Sequence, residues 1–266
     1  MPQIKVLIAD DHAIVRMGLA SLLGTRPEYE VVGDAGNGET ALRKAARLKP
    51  DVILLDMVMP GMVYISHPTE LGTVYTKEEL TAIRKACDEY SLTLFLDGAR
   101  LVYGLAASDV TLADLAALCD VFYLGGTKAG PLFGEAVVIS QEALKRDFRY
   151  QIKQHGGMLA KGRLLGVQFE ALLEDGLFQE IGQKAVAQAM RLQKAFLDKG
   201  YPMLIPSNTN QQFPILPNEV LDKLNEKYSN CLQCKIDADH TCVRFCTGWS
   251  TKDEDLDALI ADIATC

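Results

Sequence analysis

The first 56 residues alternate apolar runs with amphipathic segments, and this alternation restricts the fold more than any other feature of the chain. Strand-like runs of this region are IKVLIAD (4–10), EVVGDAG (30–36) and DVILLD (51–56), with helical spacing of apolar residues over 13–23 and 39–48. Such alternation is typical of a parallel sheet wrapped by helices. The sequence therefore predicts a βαβαβ unit at its start.

The alternation continues to about residue 140. It predicts strands at 63–66, 92–97, 121–126 and 135–140, a helix from an N-cap at Thr76 to Tyr90, and a short helix over 112–118. Because the loop 130–134 is too short for a helical crossover, the strand after it should be antiparallel to its neighbour.

Beyond residue 140 the pattern changes to two long helices, 158–174 and 178–199, followed by a smaller proline-rich part. That part has strand patterns near 212–216, 232–236 and 241–245, and helices over 218–227 and from Asp253. We therefore predict an α/β protein with a mostly parallel sheet flanked by helices in a large domain, 1–180, and a small α+β C-terminal domain, 181–266.

Composition excludes two classes of function. The 35 Asp and Glu residues outnumber the 27 Lys and Arg residues, which gives a net charge of −8 and leaves no basic surface for sequence-independent binding of nucleic acid. No apolar run approaches the roughly 20 residues that cross a bilayer, and the chain enters a strand pattern without a signal-peptide core. We expect a cytoplasmic protein with no nucleic-acid or membrane partner.

Seven cysteines occur, and five of them lie near the C-terminus. Cys231, Cys234, Cys242 and Cys246 have a spacing that superficially resembles a zinc site. Only seven residues separate the two pairs, and Cys242 and Cys246 alternate with apolar residues in a strand-like run. We interpret them as packed or half-exposed thiols.

Carboxylates end two of the first three strand patterns. Asp10 and Asp11 follow the first, and Asp56 ends the third. The carboxyl ends of parallel strands meet at one sheet edge, where clustered acidic groups repel each other unless a cation such as Mg²⁺ binds. Spacing alone leaves open whether they bind a cation or cap the following helices.

The longer strings LIADDHAIVRMGLASLL, EVVGDAGNGETAL and PDVILLDMVMPGM resemble the receiver domain of two-component response regulators over residues 3–62. The resemblance implies that Asp56 is the phosphoryl acceptor and that Asp10 and Asp11, with Asp56, bind Mg²⁺. After Met62 it stops, so the Thr or Ser and the Lys that end the receiver's fourth and fifth strands have no counterpart.

Two further strand ends carry polar residues. Asp97 and Arg100 follow one strand pattern, and Lys128 follows the next after Gly125-Gly126-Thr127. A lysine in a loop of small residues can form a Schiff base with a carbonyl, and a nearby carboxylate can keep a pyridine nitrogen protonated. From spacing alone, a surface lysine in a glycine-rich turn is the alternative.

The strings around these residues, TELGTVYTKEELTAIRKACDEYSLTLFLDGARL, DVFYLGGTKAGPLFGEAVVI and CVRFCTGWST, resemble low-specificity threonine aldolases of the β-eliminating lyase family. The resemblance covers residues 63–266 and implies a pyridoxal-phosphate enzyme with the type I transferase fold. It implies that Lys128 is the Schiff-base lysine, that Asp97 and Arg100 contact the cofactor, and that Arg244 binds the carboxylate of a small amino-acid substrate. A homodimer is compatible with it.

One expected part of the aldolase site has no match in residues 1–62, namely the Gly/Thr-rich helix N-terminus that holds the cofactor phosphate and the histidine that stacks on its ring. The segment Asn37-Gly38-Glu39-Thr40 offers a helix N-terminus. His12 and His67 are candidates for the ring only by default.

Two family fragments joined near residues 61–63 predict an engineered chimera, in which flavodoxin-like strands of the receiver merge into the sheet of the aldolase large domain. Three functions follow as hypotheses. The first is an aldolase with impaired or no activity, a carbon–carbon lyase acting on β-hydroxy-α-amino acids. The second is a folded but catalytically silent scaffold, and the third is residual Mg²⁺ binding or phosphorylation at Asp56.

Overall fold

The computed structural model describes residues 3–55 and 61–266. Its internal contacts divide the chain into two compact units. The first comprises Met1–Val63 and Ala86–Thr93, and the second comprises Tyr64–Lys85 and Leu94–Cys266. Each unit is described by itself.

The first unit contains the predicted βαβαβ arrangement. Its elements are β1 (Ile4–Ala9), α1 (Ala13–Gly24), β2 (Tyr29–Ala35), α2 (Gly38–Leu48) and β3 (Val52–Leu55). The strand order is β2-β1-β3, and both pairings are parallel. Because β1 lies in the centre, its residues Val6 to Ala9 are at most 2% exposed. The expectation from the sequence is confirmed for this segment.

The edge strand β3 differs from β1 in its burial. Its four apolar side chains are 38–56% exposed, and α1 buries none of its residues. The buried cluster of this sheet consists of the small residues Ala9, Ala35 and Ala41. The apolar residues Val52–Leu55 therefore form a strand without forming a buried core.

A second sheet follows along the chain. Its strands are β4 (Met62–Ser66), β5 (Thr93–Asp97), β6 (Val121–Gly125) and β7 (Glu135–Ile139), in that spatial order. β5 and β6 are parallel, whereas β6 and β7 are antiparallel, as the short loop between them predicts.

Helices α3 (Lys77–Glu89), α4 (Leu101–Ala106) and α5 (Leu112–Leu118) connect these strands. The Thr76 hydroxyl accepts from the Glu79 amide at 3.2 Å, and the Glu79 carboxylate accepts from the Thr76 amide at 2.8 Å. This reciprocal capping box confirms Thr76 as the start of α3.

The prediction that the strands of residues 1–62 lie in one sheet with those of 63–140 is wrong for the described residues. β1, β2 and β3 pair only with one another, and β4 to β7 form a separate sheet. A parallel neighbour needs a crossover of a dozen or more residues, usually a helix. Only six residues separate β3 from β4, which is too few for such a connection.

The helical region contains α6 (Phe148–Gln154), α7 (Arg163–Leu173) and the long α8 (Leu177–Asp198). Short 3₁₀ turns occupy Glu142–Lys145 and Glu174–Gly176. The helix predicted over 158–174 begins later, at Arg163. The segment before it, 156–162, contains three glycines. Neither α4 nor α6 was expected from the sequence.

The C-terminal part contains β8 (Gln211–Gln212), β9 (Ile215–Pro217), α9 (Asn218–Asn225), β10 (Cys231–Lys235), β11 (His240–Cys246) and α10 (Asp253–Thr265). The strand predicted over 212–216 is split in two, because Pro214 lacks the amide hydrogen that a continuous ladder requires. β11 pairs with β8, β9 and β10, all antiparallel.

A hydrophobic cluster joins this C-terminal sheet to helices α8 and α10. It includes Phe196 and Leu216, both 0% exposed, together with Val243, Phe245 and Ile263. The boundary predicted near residues 181–200 falls along α8, and the division into domains 1–180 and 181–266 stays a prediction.

In the ranges 3–55 and 61–266, no helix combines the length and the apolar character needed to span a membrane.

Replacing Phe196 with Ala should lower the free energy of unfolding by about 3–5 kcal/mol, because it removes a ring that is fully buried and 5.5 Å from the Phe245 ring. Urea denaturation measures the change. Leu197→Ala, at the next position of α8 where the side chain is 50% exposed, is the control and should cost about 1 kcal/mol or less. Equal losses in the two variants would contradict this assignment of the core.

Candidate functional site

Two loops of the second unit meet at the ends of neighbouring parallel strands. Asp97 is the last residue of β5, and Lys128 lies three residues beyond the end of β6. The Gly125 amide donates a hydrogen bond to the Gly98 carbonyl at 2.9 Å. A Cβ atom on Gly98 would lie 1.8 Å from the backbone oxygen of Tyr123, so only glycine permits this approach. The structure therefore brings the predicted Asp97 and Lys128 segments together.

The Asp97 carboxylate accepts three hydrogen bonds. Its Oδ1 atom accepts from the Ala99 amide at 2.9 Å and from the Tyr123 hydroxyl at 2.5 Å, and its Oδ2 atom accepts from the Tyr64 hydroxyl. Burial alone would raise the pKa of Asp97, but the bonds from Tyr123, Tyr64 and Ala99 outweigh burial and lower it. Asp97 is therefore an anion near neutral pH.

The two tyrosines respond in the opposite direction. The hydrogen bond to Asp97 raises the pKa of Tyr64 to about 12, and burial followed by Asp97 raises the pKa of Tyr123. The Tyr64 ring stacks on the Phe95 ring with centroids 5.4 Å apart and planes 8° apart. Both hydroxyls are thus kept protonated and able to donate. The sequence offers one sign of this pair, a tyrosine in each of the strands that flank the strand ending in Asp97.

Lys128 is anchored through its backbone. The Tyr103 hydroxyl donates to the Lys128 carbonyl, and Tyr103 is only 1% exposed. The Lys128 side chain is exposed at a cavity, yet partial desolvation of its amine and then the positive charge of Arg100 lower its pKa. Glu135 and Asp97 oppose that shift. A lowered pKa increases the fraction of unprotonated, nucleophilic amine at neutral pH.

The cavity next to Lys128 has a volume of about 260 Å³. Its lining includes Arg100, Lys128, Asn210, Cys246 and Trp249. Residues from the loops after β5 and β6, from the residue before β8, and from β11 and the loop after it thus converge on one space. Asp97 and Arg100, on one side of Lys128, were predicted as cofactor residues, whereas Asn210 was not identified from the sequence.

Arg244 is on β11, near the same cavity. Desolvation raises the pKa of Cys246, which lines the cavity, and the charges of Arg244, Arg100 and Lys128 act in the opposite direction. Three cationic side chains are therefore close enough to influence one thiol. The structure brings Arg244 together with the Lys128 segment.

Several buried polar atoms around Arg244 have no hydrogen-bond partner among the described residues. These atoms are Nε of Arg244, Nε2 of Gln211 and Oδ1 of Asn210. Arg244 makes one long bond, from Nη1 to the Gln211 Oε1 atom at 3.4 Å. Because buried polar groups in proteins are almost always satisfied, two unpaired donors beside an unpaired acceptor indicate a place for a polar ligand. A carboxylate would satisfy the two donors.

Asp10 and Asp11 lie in the first unit. The Asp10 carboxylate accepts from the His12 amide at 2.7 Å, and the His12 ring is 2.7 Å from the Asp11 carboxylate. One ligand atom from each of these three residues lies within 4.8 Å of the others. Asp56, the third predicted Mg²⁺ ligand and the predicted phosphoryl acceptor, lies outside the described residues, so both roles stay predictions.

Two candidates for the missing part of the cofactor site are otherwise engaged. His67 is fully buried, its Nδ1 accepts from the Tyr75 amide at 3.3 Å, and burial lowers its pKa to about 4. It is therefore a core residue, unsuited to stacking on a ligand. At the start of α2, the Asn37 side chain accepts from the Thr40 amide at 2.8 Å, so that amide is not free for an anion.

Comparisons with known proteins agree with this site. The β-eliminating lyase family matches residues 35–217. A low-specificity L-threonine aldolase from Pseudomonas sp. (strain NCIMB 10558) is 34% identical over 211 residues, which is 77% of this chain and 59% of that protein. This chain thus spans about three-fifths of the length of that relative.

A solved structure of threonine aldolase from Leishmania major is 36% identical, with a TM-score of 0.77 over all of this chain and 78% of that one. This similarity confirms the predicted α/β fold of the pyridoxal-phosphate-dependent transferase type. A different similarity covers a shorter stretch. The response regulator VraR of Staphylococcus epidermidis (strain ATCC 35984) is 47% identical over 68 residues, which is 26% of this chain and 32% of that protein.

The family match begins at residue 35, inside the segment that resembles a receiver, and extends across the Asp97 and Lys128 loops to the end of β9. It therefore includes more than half of the chain, and of the residues that line the cavity it includes Arg100, Tyr103, Lys128 and Asn210. This chain belongs to the β-eliminating lyase family, whose members depend on pyridoxal phosphate.

Proposed function

We propose that this chain binds pyridoxal phosphate at Lys128 and cleaves the Cα–Cβ bond of small β-hydroxy-α-amino acids. The observation that carries the proposal is the junction of the Asp97 and Lys128 loops through the Gly125–Gly98 hydrogen bond. This junction brings an anionic carboxylate, Asp97, within electrostatic range of Lys128, a lysine of lowered pKa that lines the cavity. The names of the aldolase relatives support the substrate class.

The residues present fit the cofactor. When bound, pyridoxal phosphate accepts the electrons of the broken bond into its ring, and it does so best when the ring nitrogen is protonated. Asp97 is the group that would hold that proton. A carboxylate offers about four acceptor positions, and Asp97 uses three for Ala99, Tyr123 and Tyr64, so one remains for the ring nitrogen.

The other residues would act on the substrate and on the amine. Lys128 supplies the Nζ amine, and the Arg100 charge favours its unprotonated state. Arg244 Nε and Gln211 Nε2 would donate to the substrate carboxylate, because both are buried donors without a partner among the described residues. Asn210 Oδ1, buried at the cavity wall, would accept from an amine or hydroxyl.

We further propose that the chain joins segments of two families near residues 61–63, and that its turnover is low. The VraR and aldolase similarities support the joining. Low turnover is expected because the α2 N-terminus, the candidate for holding the phosphate, has its Thr40 amide already bonded to Asn37. Each charge-assisted bond to phosphate that is not made costs about 1.5–3 kcal/mol of cofactor binding. A folded but silent scaffold is the limiting case.

A second candidate function is Mg²⁺ binding at Asp10 and Asp11, which the closeness of their carboxylates and the His12 ring favours. Calorimetric titration of the whole chain with Mg²⁺ tests it. Asp11→Asn should abolish the binding heat, whereas Asp222→Asn, on helix α9 of the second unit, should leave it unchanged. Phosphorylation of Asp56 stays a prediction.

Lysine labelling is the direct test of cofactor binding. After incubation with pyridoxal phosphate and reduction with borohydride, peptide mapping should find the label on Lys128, and Lys128→Ala should lose it. The control Lys223→Ala, which removes an exposed lysine of α9, should leave the Lys128 label unchanged. Release of glycine from threonine should be measurable in the parent, well below the rate of a full-length aldolase, and absent in Lys128→Ala.

Unchanged total labelling in Lys128→Ala, or labelling spread over surface lysines in the parent, would contradict the cofactor proposal. A labelled Lys128 without glycine release would indicate the silent scaffold. Glycine release at the rate of a full-length aldolase would contradict only the proposal of low turnover.

The charge of Arg100 should set the pH at which Lys128 reacts. Because that charge lowers the pKa of Lys128, Arg100→Ala should raise the pKa, and half-maximal reaction of Lys128 should then occur at higher pH. Reductive alkylation with acetaldehyde across a pH series, followed by peptide mapping, measures the midpoint without involving the phosphate. Arg100→Lys keeps the charge and should keep the midpoint. Identical midpoints in the parent and Arg100→Ala would rule out this coupling.

A further inference from the structure

Strands β10 and β11 carry four of the seven cysteines, and two of these face each other. In the antiparallel ladder Cys234 is the direct partner of Cys242, while Cys231 is opposite Arg244. Direct partners point to the same face of a sheet, with Cα atoms about 4.5–5.5 Å apart. Disulfides span Cα separations of about 4.4–6.8 Å. The backbone therefore holds Cys234 and Cys242 at a separation that a disulfide can bridge.

The two thiols differ in access. Cys242 is fully buried, and its Sγ atom is 3.8 Å from the Phe213 carbonyl, whereas Cys234 is partly exposed at the edge strand. Burial, followed by the neighbouring Cys234 thiol, raises the pKa of Cys242 to about 11. The influence of one thiol on the other agrees with the register that places them side by side.

Cys242 is buried but is not a member of the hydrophobic cluster that includes Phe196 and Leu216. Val243, next to Cys242 in β11, points to the opposite face and belongs to that cluster. The thiol face of β11 also carries Arg244, two residues from Cys242 along the strand. A covalent link between the strands would thus form on the face opposite Val243 and would tie β10 to β11 beside Arg244.

We propose that Cys234 and Cys242 form a thiol-modification site that closes to a disulfide by exchange with a small-molecule disulfide. Cys234, the accessible thiol, attacks one sulfur of the reagent as its thiolate, and the first small thiol leaves. The Cys242 sulfur then releases its proton to solvent, attacks the Cys234 sulfur and expels the second small thiol. The protein loses two hydrogens and two electrons, and the reagent is reduced to two thiols.

The register makes this pair selective among the cysteines of the two strands. Cys231 is opposite Arg244, and Cys246 lies two residues past Arg244, where β11 has no partner residue in β10. β10 is at the edge of its sheet, where among the described strands it pairs with β11 alone. The disulfide would therefore fix an edge strand that is hydrogen-bonded on one side. The exchange chemistry of this pair does not require the proposed cofactor.

Glutathione disulfide is the probe, applied to the intact folded chain. Peptide mapping should find the Cys234 and Cys242 peptides joined, while the exposed Cys231 and Cys246 take up glutathione without forming a protein disulfide. Cys242→Ser should stop at a glutathione adduct on Cys234, and Cys234→Ser should take up no glutathione at Cys242. Cys231→Ser and Cys266→Ser are controls that should still form the Cys234–Cys242 link.

Amide hydrogen exchange gives a second measurement, because closure should slow exchange in β10 and reduction should restore the original rate. Circular dichroism confirms that each variant is folded. If a serine variant is unfolded, the peptide map of the parent protein tests the proposal without it. A link between any other two cysteines, or Cys234 and Cys242 peptides that stay separate after exposure to excess glutathione disulfide, would overturn the proposal.

Discussion

The hydrogen bond from the Gly125 amide to the Gly98 carbonyl is the contact on which the candidate site depends. It joins the loops that follow two parallel strands, so that the residues after β5 and after β6 share one edge of the sheet. The approach is close enough that a Cβ atom on Gly98 would overlap the Tyr123 carbonyl. Any side chain at this position would separate the loops, and with them Asp97 and Lys128. The geometry of the site is therefore set by backbone, which is less mobile than long side chains.

The hydrogen-bond donors around Asp97 determine whether this side chain is charged. Burying a carboxylate is costly unless it accepts hydrogen bonds, and bonds to a charged group contribute about 1.5–3 kcal/mol each. Two tyrosine hydroxyls and one amide supply such bonds, so Asp97 stays ionised although it is partly buried. The charged form of Lys128, by contrast, is disfavoured, because its amine is partly desolvated and interacts with the positive charge of Arg100. The site thus stabilises the charged form of Asp97 and destabilises the charged form of Lys128. This combination suits a cofactor that needs both an acceptor for its ring proton and a free amine.

Much of the fold could be predicted from the sequence, because strand and helix periodicity is local. Helix α5 occupies the predicted range 112–118, and the antiparallel direction of β7 followed from a short loop. Asp97 and Lys128 could be predicted because parallel strand ends share an edge. The tyrosine bonds to Asp97 and the unpaired atoms of Asn210 and Gln211 could not, because they depend on which side chains meet across strands distant in sequence. Helix α4 is six residues long, too short to give a clear period.

The connection between β3 and β4 excludes one way of merging the two sheets. β3 carries four apolar side chains that are 38–56% exposed, so the helices of its own unit leave its faces largely uncovered. A parallel pairing of β3 with β4 requires a long crossover, however, and only six residues lead from β3 to β4. The match of the β-eliminating lyase family begins at residue 35, so helix α2 and strand β3 lie both in that match and in the segment that resembles a receiver. Local pattern decides which elements form, and the length of the connection decides which of them can pair in parallel.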